Sequence, residues 1–156
     1  MKSLPGYSLW EPLYEGTRTL VYRANRTTDA RSVAIKFLRN EYPTFSELVQ
    51  FRNQYTITKN LDMPGIVQPL ALETYGNSYA LVMEDWGGIS LRNYLQNHEL
   101  SLNEFQVLAL QMTEILHELY QHRVIHKDIK PANILIHPQS KQIQLIDFSI
   151  ASLLPQ

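Results

Sequence analysis

Along the first third of the chain, apolar and β-branched residues come in short runs separated by polar clusters. Residues 9–15 and 20–25 flank Thr17-Arg18-Thr19, and 32–38 follow Thr27-Thr28-Asp29. Runs of this length between polar turn residues predict a meander of antiparallel strands. Pro43 closes that section. Residues 45–61 hold neither Gly nor Pro and bring Phe45, Leu48, Val49 and Phe51 together at helical spacing. A helix is predicted there, weakened toward its end by Thr56, Ile57 and Thr58.

Met63-Pro64-Gly65 breaks the chain, and two more strands follow at 67–73 and 79–84, joined at Gly76-Asn77. Behind Trp86-Gly87-Gly88 the pattern turns helical. Ser90 is placed to cap a short helix from Leu91, and Ser101 with Glu104 spells a capping box. The helix it opens carries Phe105, Leu108, Ala109, Met112, Ile115, Leu116 and Leu119 at i, i+3, i+4, i+7 spacing. A short hairpin is predicted from 134–136 and 143–146 around 138–141. Strands first and helices second, with a Gly-Gly joint between, predict an α+β fold in two lobes.

Composition narrows the field. The chain has 156 residues, 44% hydrophobic and 19% charged, which suits one folded domain with its own core. Its 14 basic and 15 acidic residues leave a net charge of -1, so nucleic acid and anionic membrane are not expected partners. The absence of cysteine excludes disulfides and thiolate metal sites. Pro5 and Gly6 interrupt any signal-peptide core, and no apolar run reaches the ~18–20 residues that span a bilayer. The expected address is cytoplasmic.

The chemistry concentrates in His126-Lys127-Asp128-Ile129-Lys130-Pro131-Ala132-Asn133-Ile134-Leu135. Asp, Lys and Asn stand close together in a loop between a long helix and a strand pair. Phosphoryl transfer needs such a set: a carboxylate to orient the attacking hydroxyl, a cation near the phosphate, and oxygen ligands for Mg²⁺. Asp147, after the second strand, is a second candidate ligand. Any one of these residues alone is better explained as part of a solvated loop. The ordered string ahead of a hairpin and an Asp-Phe pair is not.

That string resembles the HRDxKPxN catalytic loop of protein kinases, and Asp147-Phe148-Ser149 resembles their DFG motif. Lys130-Pro131 is similar to the serine/threonine branch. The resemblance implies a five-stranded antiparallel N-lobe with one helix over 1–84, a hinge over 85–88, and a partial helical C-lobe over 89–156. It also implies ATP and Mg²⁺ as cofactors, and protein substrates bearing Ser or Thr. Asp128 would be the catalytic base, Lys130 the phosphate-facing cation, and Asn133 and Asp147 the metal ligands. Val33-Ala34-Ile35-Lys36 resembles the strand whose Lys grips ATP phosphates. Met83 would be the gatekeeper, with Glu84 to Trp86 offering backbone groups to adenine and Leu13, Val21, Ala34 and Leu135 sandwiching the ring. Residues 14–24 and 147–152 further resemble the kinase domain heading cyanobacterial multi-sensor serine/threonine–histidine kinases, which implies downstream sensor or histidine-kinase modules.

Four departures from the pattern shape the expectation. The glycine loop keeps Gly16, with Tyr14 and Thr19 where the other glycines stand. Ser149 replaces the DFG glycine. A gap-free count places Gln54 where the family has a helical Glu, with Glu47 about two turns earlier as the alternative. The chain also ends at Leu153-Leu154-Pro155-Gln156 without an activation segment or APE motif, implying a truncated domain that is inactive alone. The rival expectation is a pseudokinase-like module that binds nucleotide without catalysis.

Overall fold

The computed structural model describes residues 2–155 and divides them into two compact units. One runs to Lys59 and resumes over Gln68–Asp85; the other takes Asn60–Val67 and the chain from Trp86 onward.

The first unit is a five-stranded antiparallel sheet with one helix. Its strands are β1 (Tyr7–Glu15), β2 (Thr19–Arg26), β3 (Ser32–Leu38), β4 (Pro69–Tyr75) and β5 (Ser78–Glu84), in the order β1-β2-β3-β5-β4. Both prolines of the sheet sit where a missing N–H is tolerated, Pro12 in edge strand β1 and Pro69 opening edge strand β4. Gly76 and Asn77 turn β4 into β5, with Gly76 at φ 55°. Strand β3 is central, and six of its seven residues are buried. Its period-two alternation sends Val33, Ile35 and Phe37 into one cluster with Ala24, Ala80 and Val82. Leu38 joins Phe51 and Leu81 in another. Lys36 is in step with Leu38, and so falls on the side covered by the helix.

That helix, α1, spans Phe45–Thr58, three residues shorter than the sequence pattern predicts. Its buried residues are Phe51, Gln54, Ile57 and Thr58, whereas Phe45 is 83% exposed and Val49 is also exposed. The predicted apolar face is therefore corrected: the helix is turned so that its second half, not Phe45 and Val49, packs on the sheet. Thr44 and Glu47 form a reciprocal capping box at its start.

The second unit centres on α3 (Leu102–Gln121), opened by the predicted capping box of Ser101 and Glu104. Leu108, Ile115 and Leu119 are buried, while Phe105, Ala109 and Leu116 are exposed. Helix α3 packs on β7 (Val124–Ile125) and β9 (Ile143–Leu145), two short strands that cover only part of its apolar arc. Strand β9 pairs with β8 (Ile134–Ile136), which pairs with β6 (Ile89–Ser90), and β7 pairs with β10 (Ser152–Leu153). Ser90 caps α2 (Leu91–Asn97) by accepting from Asn93 N. Residues 60–67 belong here because Gly65 O accepts from Leu145 N at 2.8 Å and Ile66 bridges Leu145. Gly65 adopts φ +84°, and a Cβ on it would lie 2.4 Å from Ile115 Cγ1.

Candidate functional site

Each unit carries its own group of predicted site residues. On the first, the alternation of β3 brings Lys36 under α1, where only 7% of it remains exposed. Its Nζ donates to Gln54 Oε1 at 2.8 Å, and Gln54 is itself 5% exposed. Gln54 Nε2 lies 4.0 Å from Met83 Sδ, tying the predicted gatekeeper to the same group. Glu47 is engaged elsewhere. Its Oε2 accepts from Thr44 N at 2.8 Å and Thr44 Oγ1 at 2.9 Å, and these bonds hold its carboxyl below the usual range. The gap-free count to Gln54 thus agrees with the geometry.

Between β1 and β2 the turn is closed by Gly16 N donating to Thr19 O at 2.9 Å, while Arg39 Nη1 donates to Gly16 O at 2.9 Å. The Tyr14 ring covers Gly16 so closely that a Cβ there would lie 2.3 Å from Tyr14 Oη. That contact is with the end of an exposed tyrosine side chain, which is free to turn aside. Of the predicted adenine contacts on this unit, Leu13 is exposed, Val21 half-buried and Ala34 buried. Glu84 ends β5, half-buried.

On the second unit, the loop after β7 gathers the predicted catalytic set. Lys130 Nζ donates to Asp128 Oδ2 at 2.7 Å, and Asn133 Nδ2 donates to both Asp128 O and Oδ2 at 2.9 Å. Pro131 opens a 3₁₀ turn over Pro131–Asn133, closed by Asn133 N donating to Lys130 O at 2.8 Å. That turn carries Asn133 back beneath Asp128. Ile146 N donates to Asn133 O at 2.9 Å, so Asp147 follows directly on a residue bonded to Asn133. Lys127 (φ 69°) and Asp147 (φ 65°) are both non-glycine residues in the left-handed region, a local strain of about 1–3 kcal/mol each that the surrounding bonds must hold. Leu135 is half-buried on β8, and the Trp86 ring meets His137 edge-on at 5.9 Å.

His126 organises this group, a role the motif string alone did not assign. It is 2% exposed. Nδ1 accepts from Asp128 N at 3.1 Å, leaving Nε2 to donate to Ile146 O at 2.8 Å. Its ring meets Phe148 edge-on at 4.7 Å. Burial pushes the imidazole below its ordinary pKa, against the raising effect of the Ile146 carbonyl and nearby Asp147 and Asp128. The only sequence signal for this is a histidine two residues before an aspartate.

The pieces amount to a cation held on a buried strand in one unit, and in the other a carboxylate flanked by a lysine and an amide next to a second carboxylate. Comparison with known proteins agrees. Residues 7–156 match the family described as the protein kinase domain. The chain is 33% identical over 150 residues to serine/threonine-protein kinase PrkC of Bacillus subtilis, covering 95% of this chain and 23% of that protein. It is 32% identical over 162 residues to serine/threonine-protein kinase PkaA of Streptomyces coelicolor, covering 94% of this chain and 30% of that one. It is 31% identical over 147 residues to serine/threonine-protein kinase 36 of Pongo abelii, covering 93% of this chain and 11% of the relative. The chain thus spans less than a third of the length of each of these relatives. With its matching fold and loop geometry, it belongs to the protein kinase domain family.

Proposed function

We propose that the protein transfers the γ-phosphoryl group of ATP to serine or threonine hydroxyls of proteins, with Mg²⁺. The observation that carries this reading is the Asp128–Lys130–Asn133 triangle, closed by three bonds of 2.7–2.9 Å. Lys130 and Asn133 engage Oδ2 of Asp128 and hold the carboxylate in one rotamer. In this reading its other oxygen accepts the hydrogen bond of the substrate hydroxyl and orients it for in-line attack. The Lys130 ammonium faces the transferring phosphate. On the first unit, Leu13, Val21 and Ala34 offer apolar surface to a purine, and Lys36 a cation to phosphate oxygens. Met83 serves as gatekeeper and Glu84 offers its backbone.

The donor set suits Mg²⁺. Among the described residues no three His, Asp or Glu side chains gather as a metal site. Asn133, whose Nδ2 is committed to Asp128, keeps Oδ1 for a cation, and Asp147 stands beside it. Two hard oxygens, with water and phosphate completing the shell, are what Mg²⁺ accepts. Bound there, it would neutralise charge developing on the phosphates.

Lys36, Asp128, Asn133 and Asp147 all stand in these arrangements, which supports catalysis over a nucleotide-binding switch without chemistry. Sensor or histidine-kinase modules acting with this domain, and a cytoplasmic setting, are part of the proposal. Incubating the full-length protein with γ-labelled ATP and a generic protein acceptor tests it. Label on phosphoserine or phosphothreonine is expected; label confined to free phosphate would contradict it.

A further inference from the structure

The strand end Glu84–Asp85 is held by side chains that the nucleotide reading does not use. Arg23 on β2 donates from Nε to Asp85 Oδ2 at 2.7 Å. Ser32, at the start of β3, donates to the same oxygen at 2.7 Å. The second arm of Arg23 bonds Glu11 on β1, and the Trp10 ring lies 5.5 Å from its Cζ. Ser32 and Arg23 lie 53 and 62 positions from Asp85 in the chain, so the arrangement is a product of the sheet and not of local turn chemistry.

Little of this pair meets water: 20% of the Arg23 side chain and 11% of the Asp85 side chain are exposed. A bond between a charged donor and acceptor this far from solvent is strong and directional, and removing one partner leaves the other charge uncompensated. The neighbouring Arg31–Glu84 pair differs. Its Nη2–Oε1 distance is 3.0 Å, but both side chains are more than 40% exposed, so it holds its strand loosely. Burial works to lower the Arg23 guanidinium, and the Asp85 and Glu11 carboxylates outweigh it, so Arg23 stays charged throughout.

Drawing the Asp85 side chain back onto β2 and β3 fixes the backbone that carries it. From this we propose that Arg23 is a positioning residue for adenine recognition. Braced by Glu11 and Trp10, it holds Asp85, and so presets the backbone groups of Glu84 and Asp85 that meet the purine edge. The inference rests on the nucleotide reading given above. A preset backbone loses less freedom on binding, and that saving appears in affinity for the purine part alone.

The experiment compares ATP with inorganic tripolyphosphate, which has the phosphates but no purine. Both are measured as competitors of a fluorescent ATP analogue on the full-length protein, wild type beside Arg23→Met, Asp85→Asn, the double variant and Arg31→Ala. Arg23→Met keeps the packing beneath Trp10, and Asp85→Asn keeps an acceptor for Ser32, so the fold has support in each single variant. The expected result is ATP affinity lowered about three- to tenfold in either single variant, with the double no worse than the weaker single. Tripolyphosphate affinity and the Arg31→Ala variant are expected to match wild type. Unchanged ATP affinity in Arg23→Met overturns the inference, as does a parallel loss for tripolyphosphate, which would mark general loosening. A wild type that binds no ATP overturns the nucleotide reading itself, and this inference with it.

Discussion

The ammonium of Lys36 is hydrogen-bonded to the neutral amide of Gln54 at 2.8 Å, both side chains buried. The family pattern places a carboxylate there. A charge-assisted bond to a carboxylate is about twice as strong as one to an amide, a difference on the order of 1–2 kcal/mol in a partly buried setting. Gln54→Glu is therefore expected to raise phosphotransfer about five- to thirtyfold where the position of α1 limits the rate. Glu47→Gln should weaken the helix cap and leave Lys36 pairing intact. Turnover of both variants beside wild type checks this, and loss of activity in Glu47→Gln with no change in Gln54→Glu would reverse the assignment.

Gly65 has a definite steric reason to be glycine. It combines φ +84° with a would-be Cβ contact of 2.4 Å to Ile115, whereas Gly6 has nearly the same φ, +83°, and nothing within 4 Å. Gly65→Ala is expected to destabilise by about 2–4 kcal/mol, combining backbone strain with overpacking. Gly6→Ala should cost about 1–2 kcal/mol, from strain alone. Chemical denaturation of both variants separates the two terms.

Much of this architecture could be read from residues before any coordinates. The five strands of the first unit were legible because turn residues punctuate them, and α3 because Ser101 and Glu104 spell its cap; the two-residue strands β6, β7 and β10 are too short to leave a pattern. The Asp128, Lys130 and Asn133 set was legible because these residues are close in sequence and the 3₁₀ turn needs only Pro131 to start. The face of α1 was misread because its apolar residues form no clear stripe: Phe45 and Val49 point to water while polar Gln54 is buried. The Thr44–Glu47 box has the same three-residue spacing as Ser101–Glu104, and it commits Glu47 to the helix start and not to Lys36. Arg23 with Asp85 was invisible, since nothing local links residues 62 apart until the sheet sets its register.

His126 gives the fold a pH dependence. Burial lowers its pKa in the folded state, so the unfolded chain, near 6.5, takes up the proton first. The contribution is fully present above about pH 6.5 and is lost as pH falls through that value toward the lower folded pKa. Unfolding free energy is expected to decline between pH 7 and 5. In His126→Phe the decline over that window should be shallower, although stability at pH 7 is lower. The depressed carboxylates of Glu47 and Glu104 lose their contribution at lower pH, through the carboxylate range, and do not mask the effect. Denaturation midpoints across this range check the slope.

Asp147 is assigned to metal and not to adenine. Asp147→Ala is expected to abolish the Mg²⁺-dependent part of ATP binding and leave the metal-free part unchanged. Titration of a fluorescent ATP analogue with and without Mg²⁺ measures both. Metal-independent affinity in wild type, unaltered by the substitution, would remove Asp147 from this role.

The central claim is that Asp128, held by Lys130 and Asn133, orients the attacking hydroxyl. In Asp128→Asn the side chain keeps its size and can still bond Lys130 through its remaining oxygen, but loses the charge that draws the hydroxyl proton. The most direct test is turnover of this variant in the full-length protein, measured together with its ATP affinity. Phosphotransfer should fall by about 10²-fold or more with ATP affinity within about twofold of wild type. Turnover near the wild-type rate would contradict the account.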